Sequence, residues 1–260
     1  ELVNRVIGAN LRTTAVFQLD QWEVARAASN VPWDLVLVIV NTEHEGGFAV
    51  HYSTVTRSMS NLGTIAGHEL FHVLGQLGDE YNSDECIRSE SLGLPDNITD
   101  SPASPPWGHW ISDETPLPTP SDDEYGDVVG AFESAYNCDD LYRPQQACLM
   151  RGSSTIPELC SVCEELVTRR IFRYADAATG AASAASENGA YHFEITGVHP
   201  DASVEWILDG EVFATGTTLE LGLIDVPAGT HTLSGRARLD SAFVLEDQGD
   251  LSNQWEWEIR

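Results

Sequence analysis

Two histidines four residues apart with a glutamate between them, in His68-Glu69-Leu70-Phe71-His72, are the residues of this sequence best suited to chemistry. On a helix, positions i and i+4 lie one above the other, so His68 and His72 can present two imidazole nitrogens to one metal ion. Glu69 lies about 100° round the same turn, close enough to hold a water at that ion without ligating it. Ile65, Phe71, Val73 and Leu74 make the helix apolar-faced. Two imidazoles and a carboxylate buried there would cost several kcal/mol without a partner such as a metal. The bland reading, a satisfied surface pair of histidines, fits those surroundings less well. A catalytic zinc takes three protein ligands and keeps one position open for water. Gly75 and Gly78 are both free to adopt positive φ and turn the chain back, so the third ligand is expected at Asp79, with Glu80 as second choice.

The elements that must position these residues read as α+β. Asp20 to Ser29 has a helical pattern, Trp33 to Val40 is a β-branched apolar run, and Phe48 to Tyr52 alternates after Gly46 and Gly47. Leu62 to Leu74 is a helix ending near Gly75, and another helix is expected to start near Pro157 and Glu158 and run through Arg170. An edge strand at Phe48–Tyr52 could pair with an extended peptide. Residues 82–128, acidic and Pro-rich without a clear period, read as a long ordered insertion. Residues 177–190 are nearly all Ala, Ser, Gly and Thr and read as a linker. Beyond it, short alternating stretches between Tyr191 and Leu239, broken by Asp209-Gly210 and Pro227-Ala228-Gly229, read as a small all-β, Ig-like sandwich. The expected organisation is a catalytic domain over 1–176, a linker over 177–190 and a β-sandwich over 191–260.

Composition narrows the partners. The 260 residues carry 41 Asp plus Glu against 13 Lys plus Arg, a formal charge of -28, and every one of the 13 cations is Arg. Such acidity repels phosphate backbones and anionic lipid, which disfavours a nucleic-acid or membrane-surface role. No apolar run approaches the roughly 20 residues of a membrane span. The charge is regional: Asp79 to Asp140 holds 16 acids and one base, Arg88, whereas residues 1–78 and 141–190 together hold 12 acids and nine bases. An acidic wall beside the metal cleft is therefore expected, favouring cationic substrates or holding a structural cation. The Asp122-Asp123-Glu124-Tyr125-Gly126-Asp127 run is a possible Ca2+ site but lacks EF-hand spacing.

Five cysteines leave at least one without a partner inside the chain. Cys86 and Cys138 bracket the insertion and are expected to pair. Cys148, Cys160 and Cys163 could form a second metal site, but with one CxxC only a disulfide among them is favoured. Disulfides point to an oxidising, extracellular setting, with any signal peptide lying outside this chain.

HELFHVLGQLGDEY, His68 to Tyr81, resembles the zinc-binding motif of the IgA peptidase family of metalloendopeptidases, in which HExxH is followed by a Leu-x-Asp-Glu-Tyr ending, here Leu77 to Tyr81. Trp33 to Asn41 with Gly46-Gly47, Val129 to Pro144, and Cys148-Leu149-Met150-Arg151-Gly152 followed by Cys160-Ser161-Val162-Cys163 resemble further blocks of that family, and Trp206, Asp209-Gly210 and Gly229 to Leu233 resemble a β-domain that often follows. The resemblance implies a zincin, metzincin-like catalytic domain with Met150 in the turn beneath the zinc. It also implies a secreted zinc endopeptidase that hydrolyses protein or peptide substrates. In that reading His68, His72 and Asp79 hold one catalytic Zn2+, and Glu69 takes a proton from the attacking water and returns it to the leaving amine. A donor to the oxyanion is expected, and Tyr142 or His109 could supply it or simply pack beside the site. The alternative is an inactive zincin-like binding or adhesion protein that uses its β-sandwich to recognise a partner; an intact Glu69 favours the enzyme.

Overall fold

The structure is a computed structural model that describes residues 3–7, 16–19, 21–43, 46–49, 51–57, 61–82, 86, 93–152, 158–185, 190–222, 226–239, 241–245 and 251–259. The expectations placed on Asp20, Val50, Pro157, residues 186–189 and parts of the 82–128 stretch lie outside the described residues. The elements are mixed α/β, with several sheets and few helices. The chain divides into two compact units, Glu1–Val167 and Thr168–Arg260, a division that falls earlier than the Ala/Ser/Gly/Thr composition of 177–190 suggests.

In the first unit, Val3–Ile7 (β1) and Val16–Leu19 (β2) pair antiparallel, and Gln21–Ala28 forms helix α1. Leu37–Val40 (β3), Gly47–Ala49 (β4) and Ser53–Thr56 (β5) build a sheet of order β3-β5-β4, parallel between β3 and β5 and antiparallel between β5 and β4. The central strand β5 was not legible in the sequence, because Ser-Thr-Val-Thr has no apolar alternation. All four of its residues are nevertheless fully buried. Hydrogen bonds make two of its hydroxyls tolerable there: Ser53 Oγ donates to the Glu69 carbonyl at 2.8 Å, and Thr56 Oγ1 accepts from Gly46 N at 3.2 Å.

Helix α2, Leu62–Leu74, has the expected bounds and packs on β4 and β5. The turn that follows differs from expectation. Gly75 is right-handed at φ -85°, and the left-handed position is Gln76 at φ 54°. Gly75 N and Leu77 N both donate to the Phe71 carbonyl, at 2.9 and 3.4 Å, closing the helix end in the manner of a Schellman turn. Gly75 serves close approach instead: a Cβ there would stand 2.9 Å from Val167 Cγ2. The chain then enters a core that contains Leu77, Trp107, Cys148, Met150 and Val162.

Phe132–Ala135 (β6) and Cys138–Arg143 (β7) form an antiparallel pair, and the Cys86–Cys138 disulfide is present as expected. Helix α3 spans Ser161–Phe172 and so begins later than Glu158. The Glu158 carbonyl accepts from Leu149 N at 2.7 Å, which engages it outside the helix, and the helical bonding starts with Glu164 N on the Cys160 carbonyl at 2.8 Å.

The second unit holds two antiparallel sheets. Gly180–Ala185 (β8), Tyr191–Thr196 (β9) and Thr218–Leu221 (β12) form one, of order β12-β9-β8. Ala202–Leu208 (β10), Glu211–Thr215 (β11), His231–Leu239 (β13) and Ser252–Ile259 (β14) form the other, of order β11-β10-β13-β14. The expected linker is thus corrected: six of its residues are β8, paired with β9 from Gly180↔Thr196 to Ala185↔Tyr191. An edge strand can be held by backbone bonds alone, so its small side chains carry no periodic signal. Both sheets contribute to one core, with Phe193 and Ile195 from β9 meeting Trp206 from β10 and Leu233 from β13. The Asp209-Gly210 hairpin joins β10 to β11 with both residues at positive φ, as its sequence demands.

Gly235 of β13 is the tightest point of that core, since a Cβ there would stand 2.8 Å from Trp206 Cζ3 and 2.9 Å from Ile195 Cδ1. Gly235→Ala is expected to destabilise the second unit by about 1–3 kcal/mol through overpacking. Urea unfolding of the full chain, followed by tryptophan fluorescence, measures it. An unchanged midpoint would mean that the Trp206 ring shifts without cost.

Among the described residues no helix is long and apolar enough to cross a membrane.

Candidate metal centre

The helical spacing of α2 places His68 and His72 on one face, and the closed turn at Gln76 brings Asp79 back to them. His68 Nε2 lies 3.1 Å from His72 Nε2, and Asp79 Oδ1 lies 3.0 Å from the first and 3.2 Å from the second. The other ring nitrogen of each histidine faces a main-chain carbonyl: His68 Nδ1 is 3.1 Å from Leu149 O, and His72 Nδ1 is 2.7 Å from Leu77 O. A carbonyl only accepts, so each Nδ1–H donates to it, and each ring turns its Nε2 towards Asp79. Two imidazole nitrogens and a carboxylate oxygen therefore converge on one point, a group of donors that could hold a metal ion.

Burial opposes charging of His72, yet hydrogen bonding and charge from Asp79, the Leu77 carbonyl and Glu69 outweigh it and raise its pKa. Burial also favours the neutral form of Asp79, but hydrogen bonds with His68 and His72 win and hold its carboxyl well below the usual carboxylate range. Glu69 behaves oppositely. Burial pushes its carboxyl up to about 7, against the pull of His72 and His68.

Three supports fix this geometry. Ser53 of β5 holds the α2 backbone at Glu69. Gly47 of β4 lies so close to the Glu69 carboxylate that a Cβ there would meet Oε1 at 2.3 Å. The short 3-10 turn Leu149–Arg151 supplies the Leu149 carbonyl to His68 and the Met150 carbonyl to Glu80 N at 2.8 Å. Met150 itself is fully buried in that turn, the place the family resemblance implies for it.

The cleft around these groups is lined by Gly47, Phe48 and Ala49 of β4, by Gln76 to Asp79, and by Tyr81, Pro95 and Tyr136. Several expectations are corrected here. Glu80 does not join the histidines; it is fully buried beside Cys163 and Asn97, and burial holds its carboxyl well above the ordinary range. Tyr142 is paired within β7 and bridged to Thr99, and His109 bonds Glu165, so neither lines the cleft. The phenols that do are Tyr81, stacked on His68 with ring centroids 6.4 Å apart, and Tyr136, whose N–H donates to the Asp79 carbonyl at 3.0 Å. Tyr81 carried a signal in the motif ending; Tyr136 carried none. The acidic wall is also absent among the described residues, since between 82 and 128 only Pro95 lines the cleft. The Asp122–Asp127 run forms a capped 3-10 turn, Asp123–Tyr125, and gathers no set of three converging metal donors there among the described residues. No disulfide links Cys148, Cys160 and Cys163, which are buried free thiols.

A peptidase, and so a hydrolase, is the class that the comparison with known families supports. Residues 13–125 match the family described as IgA Peptidase M64. This is the family that the sequence resembles, and the matched span contains His68, Glu69, His72, Asp79 and Tyr81. Met150, Tyr136 and the three thiols lie beyond it. No curated protein matches the chain.

Proposed function

We propose that the protein is a secreted zinc-dependent endopeptidase. The observation that carries this reading is the convergence of His68 Nε2, His72 Nε2 and Asp79 Oδ1 within 3.2 Å of one another. Two nitrogens and one carboxylate oxygen are a donor set that suits zinc and leaves a position open. A zinc ion held there would supply Lewis acidity to a substrate carbonyl and to a water.

The chain's own residues do the rest. Glu69, buried against Gly47, accepts a proton from the attacking water and delivers it to the departing amine. Tyr81 and Tyr136 replace Tyr142 and His109 as the donors available to a developing oxyanion, because they line the cleft. β4 lies at the edge of its sheet, and exposed Phe48 lines the cleft, which suits an extended peptide that adds a strand. The Cys86–Cys138 disulfide supports an oxidising, extracellular setting.

Chelation of the purified chain is expected to abolish casein cleavage, and stoichiometric Zn2+ to restore it. A zinc-loaded protein that cleaves neither casein nor a peptide library would overturn the reading in favour of an inactive binding protein. Cleavage that survives complete metal removal would overturn the zinc dependence.

A further inference from the structure

The reading of the His68 cleft leaves unused a second group of donors, which begins at the residue after Asp79. Glu80, Cys148, Cys160 and Cys163 place one carboxylate oxygen and three sulfurs within 4.8 Å of one another. All four residues are buried, with exposures of 0%, 0%, 5% and 0% in that order. Glu80 Oε1 is 3.0 Å from Asn97 Nδ2 and 3.2 Å from Cys163 Sγ, whereas Glu80 Oε2, equally buried, has no hydrogen-bond partner. A buried carboxylate oxygen left in that state costs several kcal/mol.

We propose that Glu80, Cys148, Cys160 and Cys163 form a second metal site, a closed structural site for zinc or another thiophilic divalent ion. A disulfide would join two of the thiols and leave the third beside an unsatisfied carboxylate, whereas one cation satisfies all four donors. Tetrahedral zinc with Zn–S bonds of about 2.3 Å spaces its ligands about 3.8 Å apart, which small rotations of these side chains reach. Three sulfurs select a soft or borderline ion over Ca2+ or Mg2+. Four protein donors leave no open position, which marks the site as structural.

The surroundings suit thiolates. Cys160 N donates to Cys148 Sγ at 3.3 Å, and Cys160 and Cys163 flank the start of α3, where the positive end of the helix dipole favours negative charge. Asn97 clamps the outer shell, with Nδ2 on both Glu80 Oε1 and the Gly78 carbonyl and Oδ1 accepting from Gly78 N at 2.7 Å.

The site would brace the catalytic cleft from behind. Glu80 is the neighbour of Asp79, and Cys148 opens the turn whose Leu149 carbonyl holds His68. The donor set stands on its own geometry and does not depend on the reading of the His68 site.

Cobalt substitution of the full chain separates the two sites. Cys86 and Cys138 are disulfide-bonded, so thiolate-to-cobalt charge-transfer bands in the near ultraviolet can arise only from the other three cysteines. These bands are expected in the wild-type chain and in His68→Ala/His72→Ala. They should vanish in Cys148→Ser/Cys163→Ser, while elemental analysis falls from two zinc ions to one in either double variant. Should the serine variant fail to fold, the wild-type spectrum still decides. A wild-type cobalt protein without thiolate bands would overturn the proposal. So would two of the three thiols resisting alkylation until a reductant is added. One ion per chain with thiolate bands would overturn the cleft reading instead.

Discussion

Glu69→Gln is expected to leave the metal content unchanged and to lower kcat/KM on a peptide substrate by about 10²–10⁴-fold, the usual contribution of a positioned general base. Gln keeps the shape of Glu69, which is buried on α2 over Gly47, but its amide cannot take up a proton. The change also separates catalysis from folding. Burial raises the Glu69 carboxyl from 4.5 to about 7, so in the metal-free chain the unfolded state releases this proton first. Its contribution to stability is therefore lost as the pH rises from 4.5 towards 7, and Gln should flatten that slope. Elemental analysis, initial rates and thermal unfolding of the metal-free proteins across that window measure the three effects. Wild-type rates in a metal-loaded Glu69→Gln chain would place the base elsewhere.

Gly47→Ala should lower kcat by about 10²-fold without unfolding the protein, the order expected when a catalytic group is displaced by about 1 Å. The new methyl would meet Glu69 Oε1 at 2.3 Å, Cδ at 3.0 Å and Cγ at 3.1 Å. These atoms are the far end of a side chain that can swing aside, so the strain is relieved by moving the carboxylate and not by breaking the sheet. Metal content and thermal midpoint should stay close to wild type. Gly63→Ala is the matched control, because a Cβ there meets nothing within 4 Å. Equal losses in the two variants would show that the effect is not steric contact with Glu69.

The helix carrying the histidines was legible because everything that defines it lies in one short stretch from Leu62 to Asp79: apolar spacing, a glycine at its end and an acid placed to return. The hairpin at Asp209-Gly210 was legible for the same reason, since positive φ at two successive positions is a local demand. The strand Ser53–Thr56 was not. Its burial depends on hydroxyl partners at Gly46 and Glu69, which lie 10 and 16 residues from the hydroxyls they bond. Strand β8 escaped notice because alanine and serine pair through the backbone and show no period.

At the cleft the division is similar. Helical geometry alone puts His68, Glu69 and His72 on one turn, since 3.6 residues per turn is a property of the backbone. Only the packed chain decided between Asp79 and Glu80, which point to opposite neighbourhoods although they are adjacent in sequence. It also brought Leu149 O to His68 across 81 residues and Cys163 to Glu80 across 83, and it set Tyr81 and Tyr136 along the cleft while Tyr142 and His109 lie outside it. Contacts of that span are set by the closing of cores and turns, and a chemical pattern confined to neighbouring residues carries no record of them.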